Sequence, residues 1–140
     1  MTDNFDLTRF HEAHEFHYKT ALKEIKEGRK RSHWMWFIFP QIAGLGKSER
    51  AEYYSIKSIE EARAYLNDPI LGSHLIEISQ ELLCLDEDNP KIVFGFPDYL
   101  KLRSSMTLFK IADGQNAVFG KVIEKFFDGE EDEWTLMLLE

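Results

Sequence analysis

A dense aromatic run that ends in a proline constrains this fold more than any other stretch of the chain. Residues 34–39 contain two tryptophans, two phenylalanines, a methionine and an isoleucine, and Pro40 follows. Trp34 and Trp36 lie two positions apart, which places both side chains on one side of an extended segment. The residues after Trp36 leave no polar face, as is typical of buried chain, and Pro40 ends any regular element. We therefore predict a buried aromatic connector, residues 32–46, around which helices pack.

Helical periodicity accounts for most of the remaining sequence. Stop and start signals separate the segments: Gly28 ends the first, Ser58 and Glu61 form a capping box, and Asp68-Pro69 opens another. Residues 91–96 are too few to distinguish a strand from a helical turn. The predicted helices are residues 7–27, 49–56, 58–67, 68–82, 98–112, 117–127 and 132–139. No repeat or linker interrupts the pattern, so we predict one all-α domain, residues 1–140, with about six or seven helices.

Charge and composition exclude several classes of partner. The formal net charge of -8 argues against general affinity for nucleic acid or anionic lipid. The N-terminal residues lack the basic start and the apolar run of a signal peptide, and no apolar stretch has membrane-spanning length. We therefore expect a cytoplasmic protein without a nucleic-acid or membrane partner. Cys84 is the single cysteine, which excludes an intrachain disulfide, and its apolar neighbours predict a core position.

Three of the five histidines, His11, His14 and His17, follow one another at intervals of three residues on the first predicted helix. Two of them could ligate a metal from one face, but no cysteine or matched acid completes a zinc set. We therefore predict no metal and no cofactor. His14 falls within the apolar stripe of the helix and His17 near its border. Each is either a hydrogen-bonded core residue or part of a pocket, and His14 is kept as a candidate ligand-binding residue.

The helix predicted at residues 98–112 carries the polar groups best suited to a site. Asp98, Lys101 and Ser105 share one face by their i, i+3, i+7 spacing, and Ser104 and Thr107 add hydroxyls. Because the helix is apolar nearly all round, an inward charge needs a partner, a ligand or water. Lys101 would hold an anion, Asp98 would orient Lys101 or act as a base, and both are candidate catalytic residues. The alternatives are a surface ion pair and hydroxyls bonded to the preceding turn.

The aromatic connector is the second candidate site. His33, Trp34 and Trp36 bring together imidazole and indole rings, which stack on nucleobases and sugars, and Gln41 could bind polar edges. The alternative places the indoles in the core; it is favoured for Trp36 and stays open for Trp34. His33 is also kept as a candidate catalytic residue.

Two motifs are specific in combination: Ser-His-Trp-Met-Trp-Phe at residues 32–37 with Phe-Pro-Gln at 39–41, and Lys-Leu-Arg-Ser-Ser-Met-Thr-Leu-Phe at residues 101–109. They resemble the signature of a bacterial family known as domain of unknown function 1810, whose members are sometimes labelled calpastatin. The resemblance covers nearly the whole chain. It implies a mainly helical single-domain fold, no established activity, and a glutamine at the position of His14. A chain so rich in aromatic core residues does not fit an inhibitor that acts through flexible segments.

Two functions are compatible with these residues. The first is binding or hydrolysis of an anionic small molecule, such as a nucleotide or an ADP-ribose derivative, in a pocket where the connector meets residues 98–112. The second is a non-catalytic protein-interaction module that docks through basic residues 23–31 and acidic residues 128–133. We favour the first, because docking does not require polar residues on a mostly apolar helix. The candidate ligand-binding residues are His14, His33, Trp34, Trp36, Gln41, Lys101, Ser104, Ser105 and Thr107.

Overall fold

The computed structural model describes residues 5–140, and within them the fold is all-α, as the sequence predicts. No helix in this range is long and apolar enough to cross a membrane. The described helices are α1 (Thr8–Lys26), α2 (Met35–Ile38), α3 (Glu49–Tyr53), α4 (Ile59–Asn67), α5 (Leu71–Cys84), α6 (Pro90–Phe94), α7 (Asp98–Ala112), α8 (Val118–Phe127) and α9 (Glu133–Leu138).

Between α1 and α3, the connector contains one helical turn, α2, where the sequence predicts an extended segment. Over so short a run, the two-residue spacing of the tryptophans does not distinguish an extended segment from a helical turn. The single turn of α2 also buries most of its apolar side chains, three of four. The turn also parts the two indoles: Trp34 is 1% exposed, whereas Trp36 is half-buried. Downstream, Ile42 and Ile56 form a parallel bridge that closes the loop carrying α3.

Side-chain caps fix several helix starts where the sequence signals predict them. Ser58 Oγ accepts a hydrogen bond from the backbone N–H of Glu61 at 3.1 Å, and the Glu61 carboxylate accepts one from the backbone N–H of Lys57 at 2.8 Å. Asp68 Oδ1 accepts from a backbone amide at the start of α5 at 3.0 Å. The segment that the pattern leaves open, residues 91–96, lies mostly in the short helix α6.

Helix α7 is the centre of the packing. It contacts α4, α6, α8 and α9, while α1 packs against α2 and α5. Every residue from 104 to 109 is buried, as an apolar surface on nearly all sides predicts. Helices α4 and α5 approach closely at Gly72, where a Cβ would lie 2.0 Å from the carbonyl oxygen of Leu66. Only glycine fits that crossing.

Cys84 lies exposed at the end of α5, so the predicted core position is wrong. The inward position of this last turn belongs to Leu82, which is fully buried. The apolar neighbours of Cys84 in the sequence therefore do not show that its side chain is buried, because the helix directs that side chain outward.

Candidate functional site

The start of the connector is held in place by the buried carboxylate of Glu24, a residue of α1. Its Oε1 accepts hydrogen bonds from the backbone N–H of Arg31 at 2.7 Å, the backbone N–H of Ser32 at 2.9 Å and the indole N–H of Trp34 at 2.9 Å. Its Oε2 accepts from the Ser32 hydroxyl at 2.6 Å. Burial alone would raise the pKa of this carboxyl, but the four hydrogen bonds lower the pKa of Glu24 to about 2. An ionised carboxylate therefore fixes the start of the connector.

The two indoles of the connector have different surroundings. Trp34 lies in the core against Phe39 and Phe94, with ring centres 6.2 and 6.4 Å away. The guanidinium carbon of Arg50 and the ammonium nitrogen of Lys101 each lie 5.2 Å from the ring centre of Trp36. Both distances are within the range of a cation–π interaction. Trp36, rather than Trp34, is therefore the connector indole that meets α7.

Asp98, the candidate base, is held between two ammonium groups. Its Oδ2 lies 2.9 Å from Lys30 Nζ, and its Oδ1 lies 3.4 Å from Lys101 Nζ. The predicted pairing of Asp98 with Lys101 is present. Lys30, in the loop that follows α1, is the second ionic partner of Asp98. Asp98 therefore pairs with Lys101 within α7 and joins the loop before the connector to the first turn of α7.

A second contact between connector and α7 joins Gln41 to Ser104. The Gln41 side-chain amide donates to Ser104 Oγ at 2.6 Å. The Ser104 hydroxyl donates in turn to the carbonyl of Leu100 or Lys101, each at 3.2 Å, as hydroxyls within helices commonly do. This contact and the Trp36–Lys101 contact bring together two segments that lie about sixty residues apart in the sequence.

These two segments wall a cavity of about 390 Å³, which we call the lysine cavity. Its polar lining includes three of the predicted residues, Gln41, Lys101 and Ser104, and the other walls come from loops and from α9. The lining residues are Gln41, Leu45, Pro97, Leu100, Lys101, Arg103, Ser104, Asp132 and Trp134. The cavity lining is thus mostly apolar, with cationic and amide groups among its polar side chains.

Helix α9 reaches the lysine cavity through Asp132, its N-cap. Asp132 Oδ2 accepts hydrogen bonds from the backbone N–H and the hydroxyl of Thr135 at 3.0 and 2.6 Å. The backbone N–H of Asp132 donates to Thr107 Oγ1 at 3.0 Å, which fixes α9 against α7. Arg103 Nη2 lies 3.8 Å from Asp132 Oδ1. The first turn of α9 carries Trp134, which is 66% exposed and also lines the cavity.

His33 lies in a different cavity. This cavity has a volume of about 550 Å³, and we call it the arginine cavity; its lining residues are His17, Thr20, Ser32, His33, Phe37, Arg50 and Tyr54. Arg50, which lines this cavity, contacts the ring of Trp36, and Lys101, a lining residue of the lysine cavity, contacts the same ring. Trp36 therefore stands between residues of the two cavities.

His14 lies in neither cavity. Its Nε2–H donates to the carbonyl of Phe37 at 2.9 Å, so its Nδ1 is free to accept from His74 Nδ1–H, also at 2.9 Å. The rings of His14, Tyr18 and His74 are parallel to within 3°. Burial lowers the pKa of His14 to about 4, although the Phe37 carbonyl opposes this shift, and burial also lowers the pKa of His74. The pair is therefore neutral at physiological pH.

The structure thus separates the predicted residues into three groups. Gln41, Lys101 and Ser104 line the lysine cavity, with Asp98 and Trp36 in contact with Lys101; His33 lines the arginine cavity; and His14, Trp34, Ser105 and Thr107 are buried outside both. His11 pairs with Asp68, so the three evenly spaced histidines of α1 point to three separate environments.

Sequence reasoning missed the cationic and aromatic residues that complete both cavities. Arg103 lies inside the motif at residues 101–109, two positions after Lys101, and only the fold shows that both side chains line one cavity. Trp134 directly follows the acidic residues 128–133, and this position was an available signal of exposure. Glu24 is a carboxylate inside the apolar stripe of α1, next to Ile25, and this position also signalled a buried partner.

The fold and the cavities define a single-domain all-α protein with two polar hollows beside one half-buried indole. Residues 4–139 match the family model described as "Protein of unknown function (DUF1810)", and the chain belongs to this family. A conserved hypothetical protein from Mycobacterium tuberculosis, known from a crystal structure, is 45% identical to the chain, covers 98% of it and 98% of its own length, and superposes with a TM-score of 0.95. No curated protein matches the sequence.

Proposed function

We propose that the protein binds an anionic small molecule that carries a flat ring, in the lysine cavity. The observation that carries the proposal is the meeting of Lys101, Gln41 and Ser104, from two distant segments, in a cavity that the exposed indole of Trp134 also lines. Ligand sites in proteins are typically concave and largely apolar, with a few convergent polar groups. The lysine cavity, with a volume of about 390 Å³, has both properties.

The charges of the cavity lining favour an anion. Lys101 and Arg103 contribute two positive charges, against the single carboxylate of Asp132. One oxygen of that carboxylate accepts both hydrogen bonds that cap α9. The other faces Arg103 at 3.8 Å, which is longer than a hydrogen bond. Arg103 therefore retains N–H donors for a ligand.

Each group has a distinct role in the proposed complex. Lys101 and Arg103 bind the anionic group, Trp134 stacks on the ring, and Gln41, already oriented by Ser104, binds a polar edge of that ring. Nucleotides combine these features, and stacking of one base on an aromatic side chain contributes about 1–3 kcal/mol. Asp98 does not line the cavity and is held by two ammonium groups. We therefore propose binding, and no hydrolysis step.

Thermal unfolding with nucleoside monophosphates and sugar phosphates tests the proposal, because a ligand of the native state raises the melting temperature. We expect adenosine monophosphate at millimolar concentration to raise it. Lys101→Gln and Trp134→Ala should each weaken binding about 10-fold, the loss typical of one charge-assisted or stacking contact. The matched controls are Lys121→Gln and Phe16→Ala, exposed residues of α8 and α1 outside the cavity, and they should bind as the wild type does. The absence of any saturable shift, or equal losses in the controls, would rule the proposal out.

A second candidate function is docking of a basic protein segment beside α9, because apolar side chains are exposed there within an acidic stretch. Trp134 and Met137 are 66% and 58% exposed, and Glu130 and Glu133 are exposed next to them. Paired reversal, Glu130→Lys with Glu133→Lys, separates the two functions. Loss of a protein partner with unchanged nucleotide binding would favour docking, whereas unchanged partner binding would remove its motivation.

A further inference from the structure

The arginine cavity brings together one arginine and several hydrogen-bonding side chains in a protein of net charge -8. Arg50 and two histidines, His17 and His33, line it, and no carboxylate does. Arg50 is the one side chain of this lining with a permanent charge, so the lining itself carries a net positive charge.

Arg50 has no ionic partner in the described part of the chain. Within residues 5–140, the ion pairs of arginine involve Arg9, Arg31 and Arg103 only. The Arg50 guanidinium instead lies over Trp36, with its central carbon 5.2 Å from the ring centre. That contact leaves the five N–H donors of the guanidinium for other acceptors.

The remaining donors reach the cavity from three separate segments. His17 and Thr20 lie three residues apart on α1 and so share a face, His33 follows from the connector, and Tyr54 ends α3. Ser32 also lines the cavity, but its hydroxyl donates to Glu24 and is therefore not available to a ligand. The donors thus reach the hollow from α1, from the connector and from the end of α3.

We propose that the arginine cavity is a second binding site, which takes the phosphate group of a phosphate ester. A tetrahedral phosphate dianion offers acceptors in several directions, and arginine binds it through two parallel N–H donors. A planar carboxylate has two oxygens and would leave part of this donor set unpaired. The phosphate contacts Arg50, His17 and His33, with the hydroxyl of Thr20 at the rim.

The aromatic wall of the cavity accommodates the organic part of the ester. The rings of Phe37 and Tyr54 lie 5.2 Å apart, and His17 packs on Phe37 with ring centres 5.1 Å apart. A cavity of about 550 Å³ is larger than a phosphate ion requires. A phosphate ester therefore binds more tightly here than inorganic phosphate does.

Imidazole resonances report on this site directly. In a ¹H–¹⁵N or ¹H–¹³C spectrum of the full chain, inorganic phosphate, added at constant ionic strength and pH, should shift the resonances of His17 and His33 saturably. His11 and His74, which lie outside the cavity, should not shift. Phenyl phosphate should saturate the same two resonances at a lower concentration, because its ring adds contact with Tyr54.

Arg50→Gln should weaken phosphate binding at least 10-fold, in line with the loss of a charge-assisted pair. The matched control is Arg29→Gln, an exposed arginine that does not line the cavity and should bind phosphate within twofold of the wild type. The histidine readout distinguishes this site from the lysine cavity, because no histidine within residues 5–140 lines that cavity. Uniform shifts of all histidines, no saturation, or equal losses in Arg50→Gln and Arg29→Gln would overturn the proposal. Circular dichroism checks that each variant is folded.

Discussion

The indole N–H of Trp34 donates to the carboxylate of Glu24 at 2.9 Å, inside the core of an all-α domain. The same carboxylate accepts hydrogen bonds from two backbone N–H groups that lie just before Trp34 in the chain. One buried charge therefore sets the position of the connector, which carries Trp36 and Gln41. A buried carboxylate is tolerated only when hydrogen-bonded, and here four donors satisfy it. The geometry of both cavities therefore depends on a residue that lines neither.

Replacing Glu24 with glutamine should lower the free energy of unfolding by about 2–4 kcal/mol, because the amide keeps one acceptor and turns an N–H₂ group toward buried donors. Urea unfolding at pH 7 measures the loss. Glu27→Gln is the control, since its pair with Arg31 is largely exposed and should contribute less than about 1 kcal/mol. Equal stability of Glu24→Gln and the wild type would contradict a structural role for the carboxylate.

The same carboxylate predicts an acid transition. Its folded-state pKa of about 2 lies below the reference value of 4.5, so its contribution to stability is complete above pH 4.5 and is lost as the pH falls toward 2. The difference in unfolding free energy between the wild type and Glu24→Gln should therefore shrink across that interval. A difference that stays constant from pH 5 to pH 2.5 would mean that Glu24 is not ionised in the native protein.

Local signals predicted the fold well, because each acts within a few residues. The bounds of α7, the Ser58 cap and the opening of α5 at Asp68 all follow from spacing and capping chemistry. The all-α class is confirmed for the same reason. The helical turn of α2 escaped prediction, since four apolar residues satisfy either conformation.

The site was predictable only in part, because cavities depend on pairs that are distant in sequence. The pattern identified the polar residues of the connector and of α7, yet it favoured a core position for Trp36 and left Trp34 open. The structure gives Trp36 two cationic neighbours and buries Trp34 on Glu24. Nothing local predicted that Trp134, thirty residues beyond Ser104, would line the same cavity.

The neutral His14–His74 pair predicts a loss of stability in mild acid. The folded-state pKa of His14 is about 4, against a reference value of 6.5, so the unfolded chain binds its proton first. Stability is therefore complete above pH 6.5 and falls as the pH drops from 6.5 toward 4, by up to roughly 3 kcal/mol. His74, whose pKa is also lowered, changes stability in the same direction. Denaturant unfolding between pH 7.5 and 5 measures the slope before most carboxylates titrate.

His14→Gln separates this pair from the other histidines. A glutamine amide can still donate to the Phe37 carbonyl but does not titrate, so the fall in stability between pH 6.5 and pH 5 should become shallower. His17→Gln, at an exposed position of the same helix, should leave the slope as it is. An unchanged slope in His14→Gln would show that His14 is protonated as readily in the folded chain as in the unfolded one.

The α4–α5 crossing predicts a strong effect at Gly72. A Cβ added there would lie 2.0 Å from the Leu66 carbonyl oxygen, so Gly72→Ala must displace the backbone of one helix. We expect a loss of more than about 2 kcal/mol in the free energy of unfolding. Gly114→Ala is the control, because no atom lies within 4 Å of a Cβ at that position. Similar stabilities of the two alanine variants would contradict the close crossing.

The hydroxyl of Thr107 should couple stability to ligand binding through α9. It accepts the buried backbone N–H of Asp132, the residue that caps α9 and precedes Trp134. Thr107→Val keeps the shape but leaves that N–H without an acceptor, at a cost of about 1–3 kcal/mol, while Thr107→Ser keeps the hydroxyl. If α9 shifts, Trp134 leaves its position in the lysine cavity. We therefore expect Thr107→Val, but not Thr107→Ser, to weaken nucleotide binding at temperatures where both variants remain folded. Full affinity in a folded but destabilised Thr107→Val would show that Trp134 does not contact the ligand from this position.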